Sequence, residues 1–264
     1  AAARVFKLNA DIPTRSAEFC YVARREKAAI LHERGGAHTA PPVLRIQSGV
    51  SGRWRQRVKD GNMAGVLEIR DLSKHYLRDD GTGVHALDRV SLSVAEGEFV
   101  SVIGPSGCGK STLFSVIGGL VDGYEGEVLV DGQPVRGAHR DIGMVFQEES
   151  TFPWRTTLEN VAFPLEIAGM AKAEREAAAM RFIRLVGLEG FEHRYPFELS
   201  GGMKQRTAIA RTLAFSPKIT LMDEPFGALD EQTRMLLGDK ILQIWRELKQ
   251  TTLLITHSIT EAVQ

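Results

Sequence analysis

The sequence predicts an α/β fold in which a helical insert interrupts the core. Continuous apolar runs at Phe99–Ile103 and Ile219–Met222 are typical of parallel strands that are covered on both faces. A glycine-rich loop, residues 104–112, joins the first run to an apolar stretch of helical character. Between the two runs, Ala171–Val186 is rich in the helix formers Ala, Glu and Arg.

The first 62 residues differ from the rest in charge. They hold 12 Lys/Arg and 5 Asp/Glu, and subtracting these from the 33 basic and 33 acidic residues of the whole chain leaves 21 basic and 28 acidic. We interpret residues 1–62 as a disordered basic extension in which only Ser16–Arg34 could form a helix. Met63 is the first methionine, so residues 1–62 are either a false start read from upstream sequence, a basic tail or a targeting segment.

Composition also excludes several classes of protein. Two cysteines, Cys20 and Cys108, are too few for a disulfide framework, which favours a reducing compartment. No apolar run approaches the roughly 20 residues of a membrane-spanning helix. The acidic balance of residues 63–264 argues against a nucleic-acid-binding surface.

Seven strands are predicted in residues 63–264, the main domain. Val90–Val94 alternates apolar and polar residues, as a half-exposed antiparallel strand does, so an antiparallel β subdomain is expected beside the core. The seven strands are Val66–Ile69, Val90–Val94, Phe99–Ile103, Glu127–Gly132, Ile142–Phe146, Ile219–Met222 and Leu253–Thr256.

Three helical signals complete the domain. Thr156 and Glu159 have the spacing of a capping box, and Ala171–Val186 has a helix-forming composition. These two signals place a helical subdomain at about residues 148–215. One face of a longer, later helix is marked by Leu237, Ile241, Ile244, Trp245 and Leu248.

The loop "GPSGCGKST", residues 104–112, satisfies the phosphate-binding (Walker A) pattern G-x-x-x-x-G-K-[ST], and it lies between a strand and a helix as that pattern requires. Its glycines let backbone N–H groups point at phosphate oxygens at the positive end of a helix dipole. Lys110 is expected to reach the β- and γ-phosphates, and Ser111 to ligate Mg²⁺. The alternative is a plain glycine-rich turn with an exposed lysine, and the loop alone indicates a nucleotide rather than a function.

Two further stretches extend this chemistry. Asp223 and Glu224 end an apolar strand, where one carboxylate can support Mg²⁺ and the next can polarise water; the alternative is a turn with exposed acids. In "LSGGMKQR", residues 199–206, Ser200 is a good N-cap, and Gly201 and Gly202 leave the first backbone N–H groups open to an anion. A mere helix cap explains Ser200 but not two glycines in a first turn, where they cost stability.

These stretches, with Phe146-Gln147, "LMDEPFGALD" (residues 221–230) and Thr256-His257-Ser258, resemble the motifs of the ATP-binding cassette (ABC) ATPases in order and approximate spacing. The resemblance covers about residues 66–264. It implies a P-loop NTPase core with an antiparallel β subdomain and an inserted α-helical subdomain, using ATP and Mg²⁺. It also implies a head-to-tail dimer in which the LSGGM segment of one subunit caps the γ-phosphate on the other.

The resemblance assigns roles residue by residue. Glu224 resembles the general base, Asp223 the Mg²⁺-supporting carboxylate, and Gln147 a residue that ligates Mg²⁺ and senses the γ-phosphate. His257 resembles the histidine that contacts the γ-phosphate, although alone it would be read as a strand-end histidine. Catalytic roles are implied for Glu224, His257, Lys110 and Gln147; nucleotide contacts for Tyr76, Gly104, Pro105, Ser106, Gly107, Cys108, Gly109, Lys110, Ser111, Thr112, Ser200, Gly201, Gly202 and Asp230; and metal contacts for Ser111, Gln147 and Asp223. Tyr76 would stack on adenine or be core material, and Asp230 would couple the two active sites.

Within this family the chain is most similar to the ATPase subunit of an importer. Only 52 residues separate Gln147 from Ser200, too few for the coiled coils of DNA-repair relatives. Phe152-Pro153-Trp154 and residues 228–234 look most like the nitrate, sulfonate and taurine group, although Trp154 could simply pack the insert. The resemblance implies a separate membrane permease docked on the insert, indirectly an extracytoplasmic solute-binding protein, and a peripheral place at the cytoplasmic face of the inner membrane. A non-catalytic regulatory subunit and a nucleic-acid-associated ATPase remain alternatives.

Relatives continue beyond the position of Gln264 by at least one strand and helix. We therefore expect a C-terminally truncated domain whose last strand is partly unpaired and whose affinity for ATP is weak.

Overall fold

The computed structural model describes residues 20–24, 28–31, 65–77, 83–248 and 250–257. Its strands are β1 Cys20–Arg24, β2 Ala28–Leu31, β3 Leu67–Leu77, β4 Gly83–Val94, β5 Phe99–Ile103, β6 Glu125–Val130, β7 Gln133–Pro134, β8 Ile142–Val145, β9 Ile219–Asp223 and β10 Thr251–Thr256. Its α-helices are α1 Lys110–Ile117, α2 Thr157–Ile167, α3 Lys172–Leu185, α4 Gly201–Ala214 and α5 Glu231–Leu248, with a 3-10 turn at Pro196–Glu198. The chain divides into two compact units, residues 1–139 with 251–264, and residues 140–250.

The first unit contains the predicted antiparallel β subdomain. Its strand order is β4-β3-β6-β7, and every pair is antiparallel. Leu67, Leu72, Leu87 and Val90 are fully buried and form its core. The strands β3 and β4 are longer than predicted. The prediction relied on alternating apolar and polar residues, and this alternation is interrupted by charged residues such as Arg70 and by a shift in register after Ile69.

The phosphate-loop strand β5 also lies in the first unit. It pairs in parallel with β10, and its other edge pairs antiparallel with β1, which pairs in turn with β2. The prediction of a helix at Ser16–Arg34 is therefore wrong for the described residues. Charged residues 24–27 suggest a helix, whereas β-branched and aromatic residues on either side favour strands.

The same strands bear on the interpretation of residues 1–62 as a disordered basic extension. Within it, residues 20–24 and 28–31 form the β1–β2 pair. The last described strand, β10, was expected to be partly unpaired; one of its edges pairs with β5 from Thr252 to Thr256.

The second unit holds the strands β8 and β9, the helical insert and α5. β8 and β9 are parallel, with Val145 beside Met222. α2, α3 and α4 pack on one another around the buried Val161, Ala179, Ile183 and Ile209. None of the helices in the described part of the chain is long and apolar enough to cross a membrane.

Helix signals in the sequence are confirmed in this unit. Thr156 and Glu159 form the predicted capping box at the start of α2: Glu159 N–H donates to Thr156 Oγ1, and Thr156 N–H donates to Glu159 Oε2. On α5, Leu237, Ile241 and Ile244 are buried as expected, and Trp245 is half-buried. The side chain of Leu248 lies outside the described residues.

Candidate nucleotide-binding and hydrolysis site

The glycine-rich loop begins directly at the end of β5 and leads into α1. Gly107 has φ +82° and Gly109 has φ +98°, a left-handed backbone that side chains disfavour. Gly109 is the N-cap of α1 and carries no side chain to cap the first N–H groups. Ser106, Gly107 and Ser111 are exposed. The loop thus presents open backbone donors at a helix N-terminus, which suits an anion.

The side chain of Lys110 lies within this loop. Its Nζ donates to the carbonyl oxygens of Gly104 at 2.8 Å and Pro105 at 2.7 Å, and it lies 3.9 Å from Cys108 Sγ. Lys110 is 5% exposed and Cys108 is 2% exposed. The ammonium group is therefore held at the loop by carbonyl groups, a position from which it can exchange these contacts for phosphate oxygens.

His257 lies at the same end of the sheet as the loop. In the parallel register of β10 and β5, Thr256 stands beside Ile103, so His257 and Gly104 follow at neighbouring strand ends. His257 is exposed. The first unit thus brings together a phosphate loop and the histidine that the motif pattern assigns to it.

Tyr76, the candidate for stacking on the base, lies near the end of β3. Its side chain is 39% exposed, so it is not a core residue. The Nζ atom of Lys74 lies over its ring, 5.0 Å from the ring centre.

In the second unit, the parallel register of β8 and β9 brings the predicted site residues Gln147 and Glu224 together. Because Val145 stands beside Met222, Gln147 and Glu224 follow at equivalent positions past the strand ends. Gln147 Nε2 donates to Glu224 Oε2 at 3.1 Å. Asp223, the last residue of β9, is 5% exposed, whereas Glu224 is only half-buried.

Glu224 has an unusual backbone conformation for a residue with a side chain. Its φ is +45°, in the left-handed region that normally favours glycine. Gly227 N–H donates to the Glu224 carbonyl at 3.1 Å and closes the turn. Left-handed backbone at a residue with a side chain is strained, and such strain recurs at functional positions.

The "LSGGMKQR" segment begins α4 as predicted. Ser200 is the N-cap, and its hydroxyl accepts a hydrogen bond from Met203 N–H at 3.3 Å. A Cβ atom on Gly202 would lie 3.0 Å from Leu229 Cδ2 and 3.3 Å from the Ala228 carbonyl oxygen. Gly202 therefore allows a close approach between the start of α4 and the segment that precedes Asp230.

Two side chains on α4 connect this helix to its surroundings. Gln205 is 2% exposed, and its Nε2 donates to the Phe146 carbonyl oxygen at 3.1 Å, next to Gln147. Arg206 Nη1 donates to the carbonyl oxygens of Val186 and Gly187, each at 3.1 Å. Desolvation by burial lowers the pKa of Arg206.

Asp230 precedes α5 and caps it. Its two carboxylate oxygens accept from the N–H and hydroxyl groups of Thr233, at 2.9 and 2.7 Å. These hydrogen bonds, with a smaller contribution from the charge of Arg206, hold the pKa of Asp230 below its ordinary value.

The residues assigned to magnesium all offer oxygen donors. They are the Ser111 hydroxyl in the first unit, and the Gln147 amide oxygen and Asp223 carboxylate in the second. Oxygen donors of this kind suit Mg²⁺, which prefers few protein ligands together with phosphate and water. Among the described residues no group of three or more His, Cys, Asp or Glu side chains could hold a metal on its own. Each of these three groups, taken by itself, is therefore of a type that suits an ion arriving with a nucleotide.

A cleft of about 390 Å³ lies on the helical insert, lined by Trp154, Arg155, Leu158, Glu159, Ala162, Glu166, Lys172, Arg175 and Glu176. Trp154 is 71% exposed, so it is not buried in the insert. Its ring lies 5.7 Å from that of Phe152. Arg155 Nη1 donates to Glu166 Oε2 at 2.8 Å, and this contact lowers the pKa of Glu166. The cleft therefore combines an apolar ring with fixed charges of both signs.

The sequence did not single out Lys74 and Gln205 as site residues. Both are long polar side chains that are more than nine-tenths buried, at 8% and 2% exposure. Gln205 lies within the recognised "LSGGMKQR" motif, which could have indicated its importance. Lys74 precedes the candidate Tyr76 by two residues on the same strand, which was the available signal.

Known proteins are similar to this chain over most of its length. The family model for ABC transporters matches residues 87–227. An uncharacterized ABC transporter ATP-binding protein of Methanocaldococcus jannaschii is 52% identical over 205 residues, which cover 78% of this chain and 76% of that protein. A taurine import ATP-binding protein of Rhizobium johnstonii is 46% identical over 198 residues, covering 75% of this chain and 76% of that protein.

Solved structures agree with the sequence comparison. The dimeric structure of a bacterial ABC transporter cassette is 38% identical, with a TM-score of 0.70, and covers 74% of this chain and 90% of that one. A dimeric post-hydrolysis state of the same cassette, bound to ADP and Pi, is 37% identical, with a TM-score of 0.70 and the same coverage of both chains.

Proposed function

The chain belongs to the ABC transporter family, and we propose that it is the ATP-hydrolysing subunit of an importer for a small sulfonate such as taurine. Its place among the ABC ATPases follows from the family match and from relatives 52% and 46% identical. The carboxylate of Glu224, held by Gln147 at the end of β9, is the observation that carries hydrolysis rather than nucleotide binding alone.

In this proposal the first unit binds the nucleotide. The N–H groups of the Gly104–Thr112 loop and the Lys110 ammonium bind the phosphates, and Tyr76 stacks on adenine. Lys110 already lies among carbonyl acceptors at the loop, which supports its transfer to phosphate oxygens. Ser111, Gln147 and Asp223 would hold Mg²⁺, which supplies charge neutralisation of the phosphates when bound.

Hydrolysis is assigned to Glu224 as general base. A water molecule attacks the γ-phosphorus, its proton passes to the Glu224 carboxylate, and the bond to the β–γ bridging oxygen breaks with release of ADP and phosphate. His257 contacts the γ-phosphate and Gln147 orients Glu224. The 3.1 Å contact between Gln147 and Glu224 supports this pairing.

A second copy of the chain completes each site in this proposal. Ser200, Gly201 and Gly202 of one subunit would cap the γ-phosphate bound by the other, and Asp230 would couple the two sites. Two observations support this arrangement: α4 begins with Gly201 and Gly202, which carry no side chains over its N-terminus, and dimeric cassettes occur among similar solved structures. The chain thereby needs a partner for turnover.

We assign the cleft on the insert to a membrane permease. Its exposed Trp154 and its fixed charges suit a short segment of another protein, and the subunit would lie peripherally at the cytoplasmic face of the inner membrane. An extracytoplasmic solute-binding protein would deliver the solute to that permease. Similarity to a taurine import protein supports the choice of a sulfonate.

Transport in proteoliposomes tests the function. The chain would be reconstituted with the permease encoded beside its gene, and ATP-dependent uptake of taurine would be compared with that of nitrate. Uptake of taurine that Glu224→Gln abolishes is the expected result. Uptake of nitrate alone would overturn the choice of sulfonate, and ATP hydrolysis stimulated by nucleic acid instead of the permease would overturn the transport function.

A further inference from the structure

Lys74 is a buried lysine outside the motifs that define the site. It is 8% exposed, and its Nζ donates to the carbonyl oxygens of Asp122 at 2.6 Å and Gly123 at 3.0 Å. The same ammonium lies over the ring of Tyr76, 5.0 Å from its centre. The Lys74 ammonium thus contacts two carbonyl groups and one aromatic face. Such partners are expected, because lysine is almost never fully buried without them.

The carbonyl groups belong to a loop whose backbone conformation at Gly123 favours glycine. Gly123 has φ +67°, and a Cβ atom placed on it would come within 3.5 Å of Lys74 Nζ. This loop follows α1, whose N-terminus carries the phosphate loop. Lys74 therefore joins β3, which carries Tyr76, to the segment that continues from the phosphate loop.

We propose that Lys74 is a positioning residue that fixes the Tyr76 ring for stacking on the adenine base. The inference rests on the proposed function, in which Tyr76 stacks on that base. The ammonium attracts one face of the ring, while the 39% exposure of Tyr76 leaves surface for a base. A ring already fixed before binding loses less conformational freedom when the base stacks on it, so affinity rises.

The test separates the base from the phosphates. Binding of ATP and of inorganic tripolyphosphate would be measured by calorimetry for the wild type, Lys74→Met, Lys74→Arg and Tyr76→Ala. Lys74→Met should weaken ATP binding about 3- to 20-fold, the range expected for a cation over an aromatic ring. Binding of tripolyphosphate should not change, and Lys74→Arg should restore most of the affinity for ATP. In the Tyr76→Ala background, Lys74→Met should have no further effect on ATP binding.

Several outcomes would overturn the inference. Equal weakening of ATP and tripolyphosphate by Lys74→Met would indicate a role in the fold or at the phosphates, and unchanged ATP binding would indicate no role. Lys240→Met, which removes an exposed lysine on α5, controls for the loss of charge. If Lys74→Met does not fold, Lys74→Gln keeps an N–H donor for the loop carbonyls and removes the charge over the ring. A wild type that binds neither ligand would contradict the proposed function itself.

Discussion

Gln147 Nε2 donates a 3.1 Å hydrogen bond to Glu224 Oε2, joining the residues that follow two neighbouring parallel strands. The amide N–H of Gln147 donates and the Glu224 carboxylate oxygen accepts, so this contact orients the carboxylate that is proposed to act as general base. Because Glu224 also has φ +45°, both its backbone and its side chain are held in one arrangement.

Glu224→Gln should remove hydrolysis and keep nucleotide binding. The amide has the same shape and can still accept from Gln147, but it cannot take a proton from water. We expect turnover to fall about 10²- to 10⁴-fold, with ATP trapped in a stable dimer. Phosphate release and size-exclusion chromatography with ATP measure both effects. Glu148→Gln, at an exposed neighbouring position, is the matched control, and hydrolysis unchanged in Glu224→Gln would remove Glu224 from the role of base.

Gly202→Ala should impair ATP hydrolysis more than Gly201→Ala does. At Gly202 a Cβ atom would come within 3.3 Å of the Ala228 carbonyl oxygen, a backbone atom that cannot move away alone, whereas at Gly201 it would meet only Glu149 Oε1 at 3.4 Å. Alanine within a helix gains up to about 1 kcal/mol over glycine, so Gly201→Ala should be neutral or stabilising. Thermal unfolding and steady-state hydrolysis of both variants decide this, and equal behaviour of the two would contradict the close approach.

Asn160→Ala should destabilise the helical insert by about 2–4 kcal/mol, because it removes several buried hydrogen bonds at once. Asn160 is fully buried; its Oδ1 accepts from Phe152 N–H at 2.8 Å, and its Nδ2 donates to the carbonyl oxygens of Phe152, Arg155 and Thr156 at 3.0–3.1 Å. Thr156→Ala, which removes a helix cap beside it, should cost only about 1 kcal/mol. Urea unfolding measures the free energy of unfolding of both variants. A cost for Asn160→Ala no larger than that for Thr156→Ala would mean that Asn160 does not stabilise the segment 152–156.

Acid should weaken the cap that Asp230 provides to α5. The hydrogen bonds from Thr233 lower the pKa of Asp230 in the folded protein. Its contribution to stability is therefore present above the unfolded pKa of about 3.9, and it is lost as the pH falls through the lower folded value. The advantage in Tm of the wild type over Asp230→Asn should shrink between pH 5 and pH 2. Glu231→Gln controls for charge at the same helix end, and an advantage independent of pH would contradict the assignment.

The local sequence predicted those helices and strands whose bounds depend only on their own residues. The apolar run Phe99–Ile103 gave the bounds of β5, and the capping residues Thr156 and Glu159 gave the start of α2. The signals failed where distant partners decide the structure. Lys74 is buried because carbonyl groups 48 and 49 residues later accept its hydrogen bonds, and β1 forms where the edge of β5 offers pairing. The predicted ends of β8 and β9, at Phe146 and Met222, each differ by one residue from the observed ends, and the contact of Gln147 with Glu224 depends on the register of these two strands.

Two chains defective in different halves of the site should restore one site when they are mixed. Lys110→Ala disables the phosphate loop, and Ser200→Phe removes the hydroxyl cap and places a large side chain at the N-terminus of α4. If the halves come from different subunits, a mixed dimer holds one intact site and one site with both defects. Equal mixing makes about half of all dimers mixed, so about a quarter of the wild-type number of sites should be intact.

Trapped ATP is the better measure, because turnover could require both sites of a dimer. Both variants are therefore also given the Glu224→Gln substitution. Their equal mixture should trap about a quarter of the ATP that is trapped by chains carrying Glu224→Gln alone. Chains that carry both Lys110→Ala and Ser200→Phe should trap no ATP at any protein concentration. ATP trapped by either single variant without mixing would show that one chain closes its own site, and the head-to-tail arrangement would then be wrong.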